Sequence, residues 1–252
     1  MSEPLISILT ASYNSVEGLK KTVASVETQT FRDFEHVVID GGSTDGSAEF
    51  LSEQGDNVNW ISEPDEGIAD AMNKGIRLAR GDWILVLQAE DTFVDQHSLA
   101  GAVRRLGVSQ PIVCFSVIVI DGRTRRVVAP SRNRMRHWFK PLPHQGAFCR
   151  RSLFDAVGPF DTSFRITMDF EWFLRALRSG IEVKVFHDAV SVMPSTGVSS
   201  RRKWRHVRER FREERRSHMM NCPNAAMRAL YLTYWPLYLF YRRARSIVGA
   251  GT

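Results

Sequence analysis

The chain of 252 residues is 43% hydrophobic and 25% charged, with a formal net charge of +6. That length and balance support one large packed domain, or a domain with an appendage, and exclude a collagenous, low-complexity or globally disordered chain. Three cysteines, Cys114, Cys149 and Cys222, lie far apart with no C-x-x-C spacing, which excludes a cysteine zinc motif and a disulfide framework and fits a reducing, cytoplasmic compartment.

Taken in chain order, "MSEPLISILT" has neither the basic n-region nor the long apolar core expected of a signal peptide. The run "LISILTASYN" (5–14) predicts a strand breaking into a polar loop, and Val16, Leu19, Val23 and Val26 recur at helical spacing over 15–29. "FEHVVIDGGSTDGS" (34–47) predicts a buried strand ending in a Gly-rich loop. A short helix over 47–54 and a third strand stopped by Pro64 follow. Residues 67–79 predict a helix with Ile68, Met72, Ile76 and Leu78 on roughly one side; "DWILVLQAED" (82–91) is a fourth strand; 97–106 is a helix and "PIVCFSVIVI" (111–120) a fully buried strand. Strands alternating with helices through short loops predict βαβ units in a mostly parallel sheet, and unbroken apolar strands predict cover on both faces.

In such sheets ligands bind beyond the carboxyl ends of the strands. "TASYN", "DGGSTD", "EPDEG" and "QAED" all follow strands, so the four loops are expected on one rim. Asp40, at a strand end before two glycines, is either a turn former or an acceptor for a base or ribose. Glu90 and Asp91 are either a solvated turn or ligands for a hard divalent cation, and their place on the binding rim favours the cation. Asp169 opens a helix over Phe170 to Arg178, where an acid either stabilises the helix dipole or serves as a general base. His144 is either a satisfied loop residue or a contact to phosphate or acceptor.

Residues 201–220 hold nine Arg or Lys against three Glu, and 221–252 add four Arg and no acid, while 1–200 hold 21 basic and 25 acidic residues. The basic character is therefore a local surface of the C-terminal fifth. Residues 201–216 predict a polar helix and 221–224 a linker. In "ALYLTYWPLYLFY" (229–241), too short to span a bilayer and interrupted by Pro236, Tyr231, Tyr234, Tyr238 and Tyr241 fall on one helical stripe flanked by arginines. That pattern suits a membrane interface through 201–245, or a helix packed on the domain or a partner. Nucleic acid is not an expected partner, because no stacking platform or recognition motif accompanies the arginines.

Six segments together carry a resemblance: "TASYN" (10–14), "QTFRDFEHVVIDGGSTDGS" (29–47), "EPDEGIADAMNKGI" (63–76), "ARGDWILVLQAED" (79–91), "HQGAFCRRSLFDAVGPFD" (144–161) and "DFEWFLR" (169–175). They resemble the family 2 glycosyltransferases, inverting enzymes of the GT-A fold that use nucleotide sugars. The resemblance implies an α/β, Rossmann-like, mostly parallel sheet flanked by helices over 1–200, with a helical tail over 201–252. It implies that Thr10, Ala11, Tyr13 and Asn14 line the nucleotide pocket with Asp40 on the base, and that Asp65, Gly67, Asp70 and Lys74 lie near base, ribose and diphosphate. Gln88, Ala89, Glu90 and Asp91 occupy the place of the Asp-rich metal motif, Asp91 ligating Mn²⁺ or Mg²⁺ with Glu90 beside it. Glu90 departs from the usual Asp, keeping the charge and adding a methylene. Asp169 matches the catalytic base. The implied reaction moves a sugar, with UDP the expected nucleotide, to a polysaccharide or lipid-linked hydroxyl at the inner face of the plasma membrane. A nucleotide-sugar-binding protein that has lost its metal is the alternative.

Overall fold

A computed structural model describes residues 3–107, 110–140, 142–195 and 204–248. The expected boundary at residue 200 and the first three residues of the basic run lie outside these. The amino-terminal half alternates β1 (Ile6–Ser12), α1 (Val16–Glu27), β2 (Phe34–Asp40), α2 (Ser47–Ser52), β3 (Asn59–Ser62), α3 (Ile68–Leu78) and β4 (Trp83–Val86). There follow β5 (Thr92–Phe93), α4 (Ser98–Val103), β6 (Ile112–Asp121), β7 (Thr124–Val128) and α5 (Arg134–His137). Then come β8 (Ala147–Arg150), α6 (Ser152–Val157), α7 (Met168–Arg178), β9 (Val183–Pro194), α8 (Trp204–Met220) and α9 (Ala225–Val248).

One mixed sheet runs in the order β3-β2-β1-β4-β8-β6-β9-β5, with β7 hairpinned onto β6. The first four strands are parallel, so all four ensuing loops open on one rim, as their sequences imply. The short β8 is inserted antiparallel between β4 and β6. Its start, Ala147, therefore lies beside the carboxyl end of β4, and the turn before it, His144–Gly146, reaches the same rim.

Burial explains the unbroken apolar strands. Along β1, Ile6 and Ile8 pack into the cluster beneath one face and Leu9 into that beneath the other. Leu19, Val23 and Val26 of α1 are fully buried as their spacing predicts, each stabilising by roughly 1.5–3 kcal/mol. The face of α3 differs from the expected one: Ala69, Met72 and Gly75 are buried, while Ile68, Ile76 and Leu78 flank the contact. The small residues Ala69, Ala71 and Gly75 lie on the buried side of α3, with Gly75 over Ile39 and Leu9 of the sheet.

The carboxyl-terminal helices form their own aromatic cluster, Phe211, Met227, Tyr231 and Trp235, closed by Trp138 and Phe139. Tyr231, Tyr234 and Tyr238 thus face inward, Tyr234 stacked on Tyr238 at 5.2 Å and Tyr231 on His218 at 4.2 Å. The tyrosine stripe follows the packing alternative; of its four members only Tyr241 is largely exposed. Among the described residues no helix is long and apolar enough to cross a membrane.

Candidate active site

The loops after β1 and β2 are laced together. Asn14, in the left-handed region at φ 46°, donates its N–H to Ser43 Oγ (2.8 Å) and accepts the Thr44 N–H (2.9 Å); Asp45 accepts the Val16 N–H (2.8 Å). Asp40 is wholly buried, with Oδ2 accepting the Ser43 N–H (2.9 Å) and the Ser62 hydroxyl (2.6 Å) and Oδ1 accepting the Ser43 hydroxyl. It therefore ties β2 to β3 at the base of the rim. The Thr10 hydroxyl contacts His36 Nε2 (2.9 Å) inside the sheet, where burial alone pushes His36 down to about 4 and keeps it neutral. Ala11 accepts the Ala89 N–H (3.2 Å), joining the first and fourth loops. Tyr13 is 65% exposed, and its ring and the Asp65 carboxylate flank Gly41. A Cβ on Gly41 would stand 2.5 Å from Asp65 Oδ2 and 3.3 Å from the Tyr13 ring, so only glycine leaves this gap open.

On the third loop Asp65 accepts the Gly67 N–H (2.8 Å), and Asp70 accepts the Glu66 N–H (3.2 Å). Lys74 reaches back to Glu63 (2.8 Å), Asp70 (3.6 Å) and the Pro64 carbonyl (2.8 Å); its pKa is raised, chiefly by the Glu63 hydrogen bond. The residues matched to the nucleotide pocket thus lie around the ends of β1, β2 and β3.

Gln88 to Asp91 form a tight turn, the Asp91 N–H donating to the Gln88 carbonyl (2.9 Å). Glu90 sits at φ 83°, a left-handed conformation where a turn ordinarily has glycine or asparagine. Such a placement costs on the order of 1–3 kcal/mol and is retained where the surroundings enforce it. Here α1 supports it: the Glu90 N–H donates to the Gly18 carbonyl (3.1 Å), and the Glu90 side chain packs where a Cβ on Gly18 would stand 2.5 Å from its Cγ. The adjacent Gln88 side chain rests on Met72 Sδ (3.3 Å).

Asp91 is 4% exposed. Its Oδ2 accepts the Gln88 N–H (3.0 Å), and the Gln145 side chain donates to it. Burial pushes its carboxyl up to about 7, partly offset by the charge of His144 and by these hydrogen bonds. One residue before Gln145, His144 Nδ1 bonds Asp169 Oδ2 at 2.8 Å. Burial alone would lower the pKa of His144, but the hydrogen bond and charge of Asp169, with the charge of Asp91, outweigh it and raise it. The turn before β8 therefore links both carboxylates through consecutive side chains. Beneath it lies a cavity of about 20 Å³ lined by His144, Asp169 and apolar groups such as Met72 and Trp172, room for about one water. The sequence left His144 between structural filler and substrate contact, and overlooked Gln145; the strand pairing of β8 with β4 is what brings both to the rim.

Asp169 lies in the first turn of α7, a helix seated by Trp172, which stacks on Phe154 (4.5 Å) and donates to the Gly158 carbonyl (2.9 Å). From α8, Glu214 also approaches: burial pushes it up to about 7, Arg210 and Arg242 oppose the rise, and the charge of Asp169 adds to it. Among the described residues no three His, Cys, Asp or Glu side chains converge to enclose a metal by themselves.

A rim of four parallel strands is thus joined, through the inserted antiparallel β8, to the carboxylate-bearing helix α7. Residues 7–170 match the family model described as glycosyl transferase family 2. An uncharacterized glycosyltransferase of Mycobacterium tuberculosis is 36% identical over 210 residues, 80% of this chain and 79% of the relative. A PGL/p-HBAD biosynthesis glycosyltransferase of Mycobacterium bovis is 32% identical over 69% of this chain and 70% of its own. The fold matches S. aureus TarS 1–349 in complex with UDP-GlcNAc (TM-score 0.69, 17% identity, 90% of this chain and 71% of that one). It also matches the Pyrobaculum calidifontis mannosyltransferase PcManGT in complex with GDP-Man and Mn²⁺ (TM-score 0.64, 18% identity, 99% and 80%). The chain belongs to glycosyl transferase family 2, and it is an enzyme of that class.

Proposed function

We propose that this glycosyltransferase moves a sugar from a UDP-sugar to a hydroxyl of a polysaccharide or lipid-linked acceptor, with inversion at the anomeric carbon. The observation that carries the reading is the His144–Gln145 turn, which ties a buried rim carboxylate, Asp91, to a second carboxylate, Asp169, at the start of α7. Inversion needs one group on the leaving-group side and a base on the other face of the sugar. Oδ2 of Asp169 takes the His144 hydrogen bond, and its other oxygen has no hydrogen bond among the described residues. That oxygen accepts the acceptor's hydroxyl proton as the oxygen attacks the anomeric carbon.

A divalent cation fits Asp91. Asp91 is a buried carboxylate just past the carboxyl end of β4, held in place by the Gln88 N–H, and a carboxylate is the hard oxygen donor such an ion takes. Mg²⁺-type ions use one or two protein carboxylates and complete their shell with phosphate oxygens and water, so a three-ligand protein cluster is not required. Mn²⁺ or Mg²⁺ held by Asp91, with Glu90 beside it, would supply charge neutralisation for the departing diphosphate. Gln145 and the Gln88 N–H orient Asp91 for that task. Tyr13, Asn14, Asp65, Gly67, Asp70 and Lys74 form the wall for base, ribose and diphosphate, and buried Asp40, expected on the base, instead braces the wall from beneath through Ser43 and Ser62.

The test is thermal shift with UDP-, GDP- and dTDP-sugars in Mn²⁺. At a donor concentration of 100 Kd, the cognate UDP-sugar should raise Tm by roughly 5–10 °C, and EDTA should abolish the rise. Stabilisation by a GDP- or dTDP-sugar alone would overturn the nucleotide assignment, and a rise indifferent to EDTA would overturn the metal.

A lipid-linked acceptor calls for a place at the membrane. With the tyrosines turned inward, the outward face of α9 carries Leu230, Leu237 (71% exposed) and Phe240 (77% exposed), with Arg243 along its margin. An apolar face beside an arginine suits an anionic bilayer surface, here the cytoplasmic leaflet. The L237E/F240E variant should bind phosphatidylglycerol vesicles at least about tenfold more weakly than wild type in co-sedimentation, while its Tm stays unchanged. Wild-type protein that fails to sediment with such vesicles sinks the assignment.

A further inference from the structure

The basic segment after residue 203 reads in sequence as an appendage, yet one of its few acids reaches the catalytic helix. Glu213 lies midway along α8. Its Oε1 accepts the Arg165 N–H (3.0 Å), and its Oε2 accepts the N–H groups of Ile166 (2.9 Å) and Thr167 (3.0 Å) and, more weakly, the Thr167 hydroxyl (3.3 Å). Thr167 is the N-cap of α7, and its own side chain caps nothing in that helix. Residues 165–167 belong to neither strand nor helix. One carboxylate from 46–48 positions away thus gathers the three N–H groups that lead into α7. Charge-assisted bonds of this kind are short and directional, and Asp169 stands two residues beyond the last of them.

The rest of α8 is registered against the same helix. Asn221, just past its end, donates to Glu171 (3.2 Å), Arg178 donates to the Met220 carbonyl (3.2 Å), and Phe170 packs edge-on against His218 (5.1 Å between centroids). Arg216 secures the preceding loop through Ser163 Oγ (2.8 Å). These contacts seat the body of α7, whereas among the described residues Glu213 alone bonds the N–H groups at its entry.

We propose that Glu213 is a positioning residue for sugar transfer: it fixes the backbone entering α7 and thereby sets the Asp169 carboxylate against His144 and the acceptor. The α8–α9 pair is then part of the active site, and a change in how α9 is seated reaches the base through α8. The inference rests on Asp169 being the base.

The experiment is a double-mutant cycle on the full chain. It reads nucleoside diphosphate release, with water as acceptor, from the donor the thermal-shift panel selects, at a temperature well below every variant's Tm. E213A should lower kcat at least about tenfold with donor KM within about twofold, since misplacement by an ångström is enough for such losses. E213Q, whose amide oxygen still accepts, should fall between E213A and wild type, and it serves if E213A does not fold. In a D169N background the change at 213 should cost less than about twofold, because its effect passes through the missing base. Wild-type kcat in E213A, an undiminished penalty in D169N, or donor KM rising in step with the loss overturns the role of Glu213. D169N with wild-type turnover overturns the base reading instead, and is seen in that single variant.

Discussion

Asp169→Asn is expected to lower kcat by about 10²–10⁴-fold, the range a general base contributes. The amide has the size of the carboxylate and keeps an oxygen for the His144 Nδ1 hydrogen bond, so α7, seated by Trp172 and Phe154, should fold unchanged. What it lacks is the capacity to take a proton from the acceptor hydroxyl. Donor affinity should stay within about twofold, because the wall proposed for the nucleotide lies at the ends of β1, β2 and β3 and does not include α7. Steady-state nucleotide release with donor titration checks both halves. A variant that folds and turns over like the native enzyme would remove Asp169 from the mechanism.

Asp91→Asn should have two effects of opposite sign. With its cation ligand gone, turnover should fall by at least about 10²-fold, since Lewis-acid stabilisation of a leaving group is worth several kcal/mol. The metal-free protein should nonetheless become more stable at alkaline pH. Burial raises Asp91 from 3.8 to about 7, so the folded state favours its protonated form. That contribution is complete below about pH 4, declines as pH rises between 4 and 7, and is absent at pH 8. Asparagine does not titrate. It keeps an acceptor for the Gln88 N–H, and the Gln145 amide can turn its oxygen toward the new NH₂. In EDTA, the Tm of D91N relative to wild type should therefore climb from pH 5 to pH 8. Added Mn²⁺ with donor should reverse the order at pH 8 by stabilising wild type alone. Parallel melting curves at the two pH values check the sign, and equal differences at both would show that Asp91 is not desolvated as described.

Much of this was legible in the residues. Apolar runs punctuated by Asp, Gly and Ser establish parallel strands whose loops share a rim, because a strand covered on both faces cannot alternate and its polar groups must gather at its end. The positions of Asp91 at a strand end and Asp169 at a helix start were legible too, since both are placed by local geometry. The sequence marked the tyrosine stripe of α9 as well, but left open whether that stripe is free or packed. Periodicity reports that four tyrosines share a stripe and is silent on what covers it; here the cover is Phe211, Trp138 and Phe139, and the free surface is the leucine and phenylalanine side.

Three features were decided only by the tertiary structure. The antiparallel insertion of β8 carries His144 and Gln145 to the rim, a pairing between strands more than sixty residues apart that no local pattern encodes. The left-handed turn at Glu90 is held by a backbone hydrogen bond to Gly18, on another element altogether. Glu213 looks like one acid in a basic helix until the chain folds back and sets it beneath three backbone N–H groups. Residue type and spacing determine which segments are strands, helices and polar loops, because those choices are settled by dihedral preference and burial over a few residues. Which carboxylate receives which partner is settled by contacts between distant segments, and these exist only once the sheet order is in place.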